Sequence, residues 1–309
     1  MYTKREVSSM MVFDVKRSSS PFVNKFASKQ SPILFNNLEG EGEKFYNYTW
    51  PEWNGDIPKD QEVVFQGLIR GTIEVYEKCK ELGRNFYYLD QPYFFMSSYK
   101  EHPAFKDRWY RIIKNNTQKN FIDKTPRNKR RYDRLVEKIK LFPKALNEIT
   151  LKPWQYDGKH VLVIPPSYHT AKWYGIDRHD WEKYYVSELK KYTKREIRVR
   201  HKFKNNADDI TQAKKNGTDL YDDLKDCHAM VSFHSMCASQ AIVHGIPSFC
   251  SEHSPAWPVS LSLKELDQIE DPLYSGEREY WLYSLVGSQF TETEMATGNA
   301  YRYINGENI

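Results

Sequence analysis

The stretch of residues 229–260, AMVSFHSMCASQAIVHGIPSFCSEHSPAWPVS, constrains the fold of this chain more than any other. It begins with a short apolar run, 229–233, that has the length and composition of a buried parallel strand. Small residues then lead into a helical pattern that ends at Gly245, and a second apolar run follows at 246–250. This order predicts a βαβ unit whose turn presents backbone N–H groups at a helix N-terminus, where a phosphate binds favourably. The stretch therefore predicts a pocket for a phosphorylated ligand, and a βαβ unit without a ligand is the alternative.

Strands and helices alternate elsewhere in the chain as well. A strand at 62–67, a helix at 72–82 and a strand at 85–90 form a second βαβ pattern. Beyond it, strands are predicted at 160–164 and 197–200, and helices at 180–192 and 220–224. The fold class is therefore α/β, with two Rossmann-like domains.

The two ends of the chain are less regular. Strands are predicted at 11–15 and 32–35, and the Gly- and Glu-rich residues 39–43 are predicted to form a loop. Residues 276–295 are predicted to form a helical pair, with Thr291 and Glu294 spaced as a capping box.

Length and composition exclude several classes of protein. A chain of 309 residues accommodates two domains, and it contains no apolar run as long as a membrane span. The N-terminus lacks the apolar core of a secretory signal, and the four cysteines lack metal-ligand spacing. We therefore expect a cytoplasmic protein with reduced thiols and no metal site.

The net charge of +5 is unevenly distributed along the chain. Residues 100–140 contain 14 Lys and Arg against 5 Asp and Glu. Within them, residues 124–134 place six basic side chains in eleven positions, with Tyr132 among them. Such a segment attracts polyanions and binds phosphate backbones. A solvated helix face without a partner is the alternative interpretation.

Residues 229–260 also carry a resemblance to a known family. His234-Ser235, Gln240-Ala241, Gly245 and Pro247 resemble the segment (V/T)-(H/T)-S-x-x-x-x-E-A-x-x-x-G-x-P, which binds the sugar nucleotide in GT-B glycosyltransferases. The resemblance is particularly to small enzymes encoded by bacteriophages, several of which glucosylate hydroxymethylated pyrimidines in DNA. Gln240 stands where the family has an acidic residue that holds the ribose, so a charge-assisted hydrogen bond is replaced by a neutral one.

Two further segments extend the resemblance to about residues 62–302. Tyr88-Leu89-Asp90 matches Y-(L/I)-D, and residues 278–291 match R-E-x-W-L-x-x-L-x-x-S-Q-(F/W)-T. The resemblance implies two Rossmann-like domains that face a cleft, with C-terminal helices that cross back. We expect an acceptor domain at 1–153, a donor domain at 154–275 and returning helices at 276–309, in a monomer.

The resemblance also implies a nucleotide-sugar donor, with UDP-glucose favoured, and no separate cofactor. In this interpretation, backbone amides after His234 meet the pyrophosphate, cations at the end of a neighbouring strand stabilise the leaving phosphate, and no metal ion is required. The alternatives are that His234 is a structural histidine, that the cations Arg200 and Lys202 are solvated, and that Ser167 only caps a turn. The predicted donor-binding residues are Ser167, Arg200, Lys202, His234, Ser235, Met236, Cys237, Ala238 and Gln240.

Asp90 is the predicted catalytic base, because a carboxylate at the C-terminal end of a strand can accept the proton of an acceptor hydroxyl. A turn-forming aspartate before Gln91-Pro92 is the alternative. The expected acceptor is a 5-hydroxymethylated pyrimidine in DNA; a cell-surface glycan or small molecule is the runner-up. A nucleic-acid-binding protein that keeps the fold without catalysis is the third possibility. The predicted acceptor-binding residues are Arg70, Arg127, Lys129, Arg130, Arg131 and Arg134.

Overall fold

A computed structural model describes residues 9–15, 23, 26–27, 34–43, 47–68, 71–95, 107–201 and 220–307. Contacts between residues divide the chain into two compact units, one made of residues 1–119 and 286–309 and the other of residues 120–285. These divisions differ from the predicted boundaries at 153 and 275. Residues 120–153, which include most of the basic segment, pack with the second unit because their helices contact its later helices.

The first unit is built on a seven-stranded sheet with the order β12-β6-β5-β4-β1-β2-β3. Strands β2, β1, β4 and β5 run parallel, whereas β3, β6 and β12 pair antiparallel with their neighbours. The strands are β1 Ser9–Val15, β2 Leu34–Glu43, β3 Asn47–Thr49, β4 Gln61–Gln66, β5 Phe86–Asp90, β6 Trp109–Lys114 and β12 Gln289–Thr291. The helices of this unit are α1 Ile73–Leu82, α9 Glu292–Ala296 and α10 Asn299–Ile304.

One prediction for the first unit is wrong. Residues 39–43 continue β2 rather than forming a loop, because Glu41 pairs with Thr49 of β3. A Cβ atom at Gly40 would lie 2.8 Å from the ring of Trp50, so the glycine permits a close approach within the strand. The predicted helical pair is confirmed as Arg278–Val286 and Glu292–Ala296, with the predicted capping box of Thr291 and Glu294 at the start of α9, and the short strand β12, which was not predicted, lies between the two helices.

The second unit is built on a five-stranded sheet with the order β11-β10-β9-β7-β8, and all of its pairings are parallel. The strands are β7 His160–Ile164, β8 Glu196–Val199, β9 Cys227–Ser232, β10 Ser248–Cys250 and β11 Leu261–Ser262. The helices are α2 Pro126–Ile139, α3 Pro143–Ile149, α4 Tyr168–Trp173, α5 Arg178–Tyr192, α6 Leu220–Asp223, α7 Met236–Val243 and α8 Arg278–Val286. Both units thus combine helices with a largely parallel sheet, and the predicted α/β class is confirmed.

The strand order of the second sheet reverses between β7 and β9. From β7 the chain passes to β8 on one side, and then returns to the other side of β7 for β9, β10 and β11. In open parallel sheets, such a reversal separates the loops at the C-terminal ends of the two central strands and leaves a crevice between them. Here those loops are residues 165–167 and 233–235.

Helix α7 follows β9 as the sequence predicts, and it ends as predicted before Gly245. Gly245 has φ +81°, and a Cβ atom there would lie 2.0 Å from the carbonyl oxygen of Pro153. Any other residue would therefore clash with the backbone of the segment that leads into β7. Among the helices of the described residues, none is both long enough and apolar enough to cross a membrane.

Three buried histidines predict how the stability of the second unit depends on pH. Burial lowers the pKa of His160, His228 and His244 below the ordinary value near 6.5. The unfolded chain therefore takes up protons near that pH that the folded chain does not, so stability is full above it and falls as the pH drops towards the folded-state pKa values. We expect the urea midpoint of unfolding to be lower at pH 5.5 than at pH 7.5.

The control for this prediction is His228→Gln, because an amide N–H can replace the Nε2–H that His228 donates to the carbonyl of Ile269 over 2.7 Å. This variant should lose less stability between the two pH values than the wild type. Identical pH dependence in the two proteins would show that His228 does not contribute.

Candidate functional site

The loops at the C-terminal edge of the second sheet bring several predicted donor-binding residues to one place in the fold. Ser167 follows β7, Arg200 follows β8, and His234 and Ser235 follow β9. The loop after β10 joins them, since the amide N–H and hydroxyl of Ser251 donate to the carbonyl of Phe233 over 3.0 and 2.6 Å. The reversal of strand order predicts a crevice between β7 and β9 at this edge, which is therefore the candidate site.

The N-terminus of α7 has the conformation that the sequence predicts. Ser235 is the N-cap, and its hydroxyl accepts a hydrogen bond from the amide of Cys237 over 3.2 Å. The amide of Ala238 donates to the carbonyl of Ser235 over 3.1 Å, as in the first turn of a helix. Two of the amides predicted to meet the pyrophosphate are thus already engaged within the turn. Met236 is the first helical residue and is half-buried.

Ser167 is placed at the same edge, where it caps the short helix α4. Its hydroxyl accepts from the amide of Thr170 over 3.2 Å and lies 2.8 Å from the hydroxyl of Thr170. The capping role that was the alternative interpretation is therefore present, and binding of a donor by Ser167 stays a prediction.

Arg200 is not a solvated strand-end charge. Its guanidinium forms an ion pair with Asp223 at the end of α6, and both side chains are largely shielded from solvent. The predicted cation is thus partly neutralised before any phosphate arrives. Lys202, the second predicted cation, lies outside the described residues.

An aromatic cluster that sequence reasoning missed lies beside His234. The ring of Tyr174 is 4.8 Å from the ring of His253 in a stacked geometry, 5.0 Å from Phe233 and 6.1 Å from His234. These residues come from the loops after α4, β9 and β10, which are distant in the sequence. No local pattern could have predicted that they meet.

Gln240 lies on the second turn of α7 and is half-buried. Its backbone carbonyl accepts from the amide and the Nδ1–H of His244, over 3.0 and 2.9 Å. These bonds belong to the C-terminal cap of the helix. The predicted contact of its side chain with a ribose stays a prediction.

Asp90 is the last residue of β5 in the first unit and forms an ion pair with the buried Arg111. Its Oδ2 accepts from the guanidinium of Arg111 over 2.7 Å and from the hydroxyl of Tyr88 over 2.6 Å, and its Oδ1 accepts from the amide of Gln91 over 2.7 Å. Arg111 is only 5% exposed, and its guanidinium lies 5.4 Å from the ring centre of Tyr93. Burial raises the pKa of Tyr93 to about 12, although Arg111 opposes this shift. Asp90 therefore anchors a buried polar network, whatever its part in catalysis.

The predicted acceptor residues lie on α2, in the second unit rather than in the first. The helix packs through its buried residues Asn128, Leu135 and Ile139, and the hydroxyl of Tyr132 donates to the carbonyl of Ile149 over 2.9 Å. Lys129 pairs with Asp133 over 2.7 Å. The structure brings together Arg127, Lys129, Arg130, Arg131 and Arg134 on this one helix. Arg70 lies outside the described residues.

The segment that begins at Arg278 has structural contacts that explain its sequence. Arg278 donates to the carbonyls of Lys152 and Ile242 over 2.7 and 3.3 Å, and its guanidinium lies 4.0 Å from the ring centre of Trp154. The contact with Ile242 satisfies a carbonyl in the last turn of α7. Trp281 is fully buried, and its indole N–H donates to the carbonyl of Pro255 over 2.7 Å. Arg278 thus fixes the C-terminal end of α7, and Trp281 fixes the loop that follows β10.

No His, Cys, Asp or Glu side chains cluster in threes as a metal site requires in the part of the chain that the structure describes. Independence from a metal ion stays a prediction, and its test is biochemical.

No family model matches the chain, and no curated protein matches it. Among solved structures, the chain is similar to the beta Kdo 2,4 transferase of Thermosulfurimonas dismutans KpsC, with 11% identity, a TM-score of 0.48 and 90% of each chain covered. It is also similar to the beta Kdo 2,7 transferase of that protein, with 10% identity, a TM-score of 0.43, and 96% of this chain and 99% of the other covered. Because both TM-scores are low, these likenesses decide neither the family nor the activity of this chain.

Proposed function

We propose that this chain is a GT-B glycosyltransferase that moves a sugar from a nucleotide diphosphate sugar to a hydroxyl group. The observation that carries the proposal is the reversal of strand order between β7 and β9. In open parallel sheets such a reversal leaves room for a ligand at the C-terminal edge, where α7 begins, and His234 and Ser235, which belong to the segment that resembles the donor-binding segment of these enzymes, lie at that edge.

In the proposed donor complex, the diphosphate lies against the N-terminus of α7. The positive end of the helix dipole and the amides of the turn favour an anion there. The amide of Cys237 would then exchange its bond to Ser235 for a phosphate oxygen. His234 would add a side-chain donor, and Arg200 would add positive charge at the cost of its pairing with Asp223.

The proposed reaction requires no metal ion. The acceptor oxygen attacks the anomeric carbon, the bond from that carbon to the phosphate oxygen breaks, and the nucleoside diphosphate leaves with the bonding electrons. Protein groups at the turn stabilise the charge that develops on the leaving phosphate. We propose Asp90 as the group that takes the acceptor proton.

The proposed donor is UDP-glucose, and the proposed acceptor is a 5-hydroxymethylated pyrimidine in DNA. The sequence resemblance to phage enzymes supports this choice. The excess of basic residues on α2 is a second support, because such a helix is suited to a phosphate backbone. A pyrimidine in a duplex would have to leave the base stack to reach a donor.

The test is a transfer assay. The protein is incubated with UDP-glucose and other nucleotide sugars, together with DNA that contains 5-hydroxymethylcytosine, 5-hydroxymethyluracil or neither, and the DNA is digested to nucleosides and weighed by mass spectrometry. We expect a hexose to be added only to the hydroxymethylated nucleosides, with activity retained in EDTA. Absence of transfer with every donor would reject the proposal, and loss of activity in EDTA would reject metal independence.

A further inference from the structure

A cavity of about 360 Å³ lies in the second unit, next to the end of β7. Its apolar lining consists of Pro165, which directly follows β7, Ala171 of α4 and Ile176, which lies between α4 and α5. Pro165 and Ala171 are buried, whereas Tyr168 and His201, which also line the cavity, are exposed, so the cavity opens to solvent. Its volume is near the lower end of the range of about 300–1,000 Å³ that is usual for small-molecule sites.

The cavity lies at the same edge of the second sheet as the N-terminus of α7. Pro165 follows β7 and His201 follows β8, whereas α7 begins after β9, the neighbour of β7 on the other side. Neighbouring strands are about 4.8 Å apart, so the ends of β8 and β9 are separated by about 10 Å. In open parallel sheets, a ligand at a reversal of strand order contacts the loops on both sides of it. One extended ligand can therefore occupy the cavity and reach α7.

The polar groups of the cavity are positioned by contacts within the unit. The Nε–H of Arg178 donates to the carbonyl of Pro166 over 2.8 Å, which holds the guanidinium at the wall of the cavity. On the second turn of α5, Glu182 places its Oε2 3.5 Å from the Nε2 of His201. The cavity thus combines an apolar lining with a cation, a carboxylate and an imidazole. Sites for small molecules typically have this composition, with a few polar groups that fix the orientation of the ligand.

We infer that this cavity binds the pyrimidine base and the ribose of the donor, and that the diphosphate extends from it along the edge of the sheet to the N-terminus of α7. The inference rests on the proposed function and adds to it the site of the nucleoside and the residues that select the base. None of the residues that line the cavity belongs to the donor-binding set predicted from the sequence. In this arrangement the base packs against Pro165, Ala171 and Ile176, and Arg178 faces the ribose and the first phosphate.

The size and the polar groups of the cavity both favour a pyrimidine. A cavity near the lower end of the usual range accommodates a ribose with a one-ring base more readily than a ribose with a two-ring base. The edge of uracil or cytosine that points away from the ribose carries an N–H donor next to an acceptor. The carboxylate of Glu182 accepts from that donor, and the imidazole of His201 donates to the acceptor.

The experiment compares two variants of the full chain that remove the same group from one helix. Glu182→Ala removes the carboxylate in the cavity, whereas Glu188→Ala removes a carboxylate of α5 that pairs with Lys191 and does not line the cavity. Alanine is the best helix former, so both variants should keep α5 intact. Calorimetric titration measures the affinity for UDP, ADP and inorganic pyrophosphate.

We expect the wild type to bind UDP at least about tenfold more tightly than ADP. Glu182→Ala should bind UDP at least about tenfold more weakly, because a hydrogen bond to a charged group is lost. Its affinity for pyrophosphate, which has no nucleoside, should stay within about twofold of the wild type. Glu188→Ala should change neither affinity by more than about twofold. Equal weakening of UDP binding by both variants, or equal affinity of the wild type for UDP and ADP, would overturn the inference.

A second measurement locates the base without any variant. 5-Iodo-UDP is crosslinked to the wild-type protein by ultraviolet light, and the modified peptide is identified by mass spectrometry. We expect the label within residues 165–182 or on His201. A label confined to other residues would contradict the assignment of the cavity.

The transfer assay keeps the two proposals apart. If sugar is transferred from UDP-glucose and Glu182→Ala leaves the KM for this donor unchanged, only the cavity is rejected as the site of the base. If UDP binds as expected but no donor supports transfer, the proposed function is rejected and the cavity stands as a nucleotide site.

Discussion

Replacing Ser235 with aspartate is expected to weaken the binding of UDP at least about 100-fold, while replacing it with asparagine leaves binding within about threefold of the wild type. The two side chains have nearly the same size and shape and differ in charge. A carboxylate about 4 Å from a phosphate costs several kcal/mol at the effective dielectric of a protein surface. The difference between the variants therefore reports whether a phosphate lies at the N-terminus of α7.

Both substitutions should preserve the fold. Ser235 caps α7 by accepting from the amide of Cys237, and Asp and Asn are as well suited to that position as Ser. The negative charge of Asp is even favoured by the helix dipole. Calorimetric titration with UDP measures affinity, and urea unfolding should give midpoints for both variants close to that of the wild type.

The comparison of the two variants shows whether the turn at the N-terminus of α7 binds the diphosphate of the donor. If Ser235→Asp and Ser235→Asn bind UDP equally, the diphosphate does not lie against this helix and the assignment fails. If neither variant folds, Ser235→Thr or Ser235→Gly supplies a neutral cap for α7. A charged and a neutral side chain are then compared at Met236 instead of at Ser235.

The candidate site could be predicted where its parts are contiguous in the sequence. The strand, turn and helix from β9 to α7 follow from an apolar run, small residues and Gly245, and each of these signals is local. The capping box at Thr291 is local for the same reason.

Contacts between distant segments could not be predicted in this way. Arg200 and Asp223 pair across a segment of more than twenty residues, and Tyr174 meets His253 from another loop. Strand β12 has only three residues and exists because it pairs with β6, so neither its length nor its periodicity identifies it. The membership of α2 in the second unit likewise depends on packing against later helices, and not on its position in the chain.

Asp90→Asn is expected to lower the free energy of unfolding by about 2–3 kcal/mol and to reduce sugar transfer at least about 100-fold. The first effect follows from Arg111, which is 5% exposed and would lose the charge that compensates its own. The second follows if the carboxylate takes the acceptor proton. Urea unfolding measures the stability, and single-turnover transfer at saturating donor measures the chemical step.

The loss of stability alone could reduce transfer, so a second variant separates the two effects. In Asp90→Asn with Arg111→Gln, the buried cation is removed together with its partner, and an amide at each position can still form a hydrogen bond. Because the double variant leaves no uncompensated buried charge, most of the lost stability should return. We expect transfer by the double variant to stay as low as that of Asp90→Asn, because neither amide accepts a proton near pH 7. If transfer recovers together with stability, the role of Asp90 is to compensate the charge of Arg111, and the catalytic base is another residue.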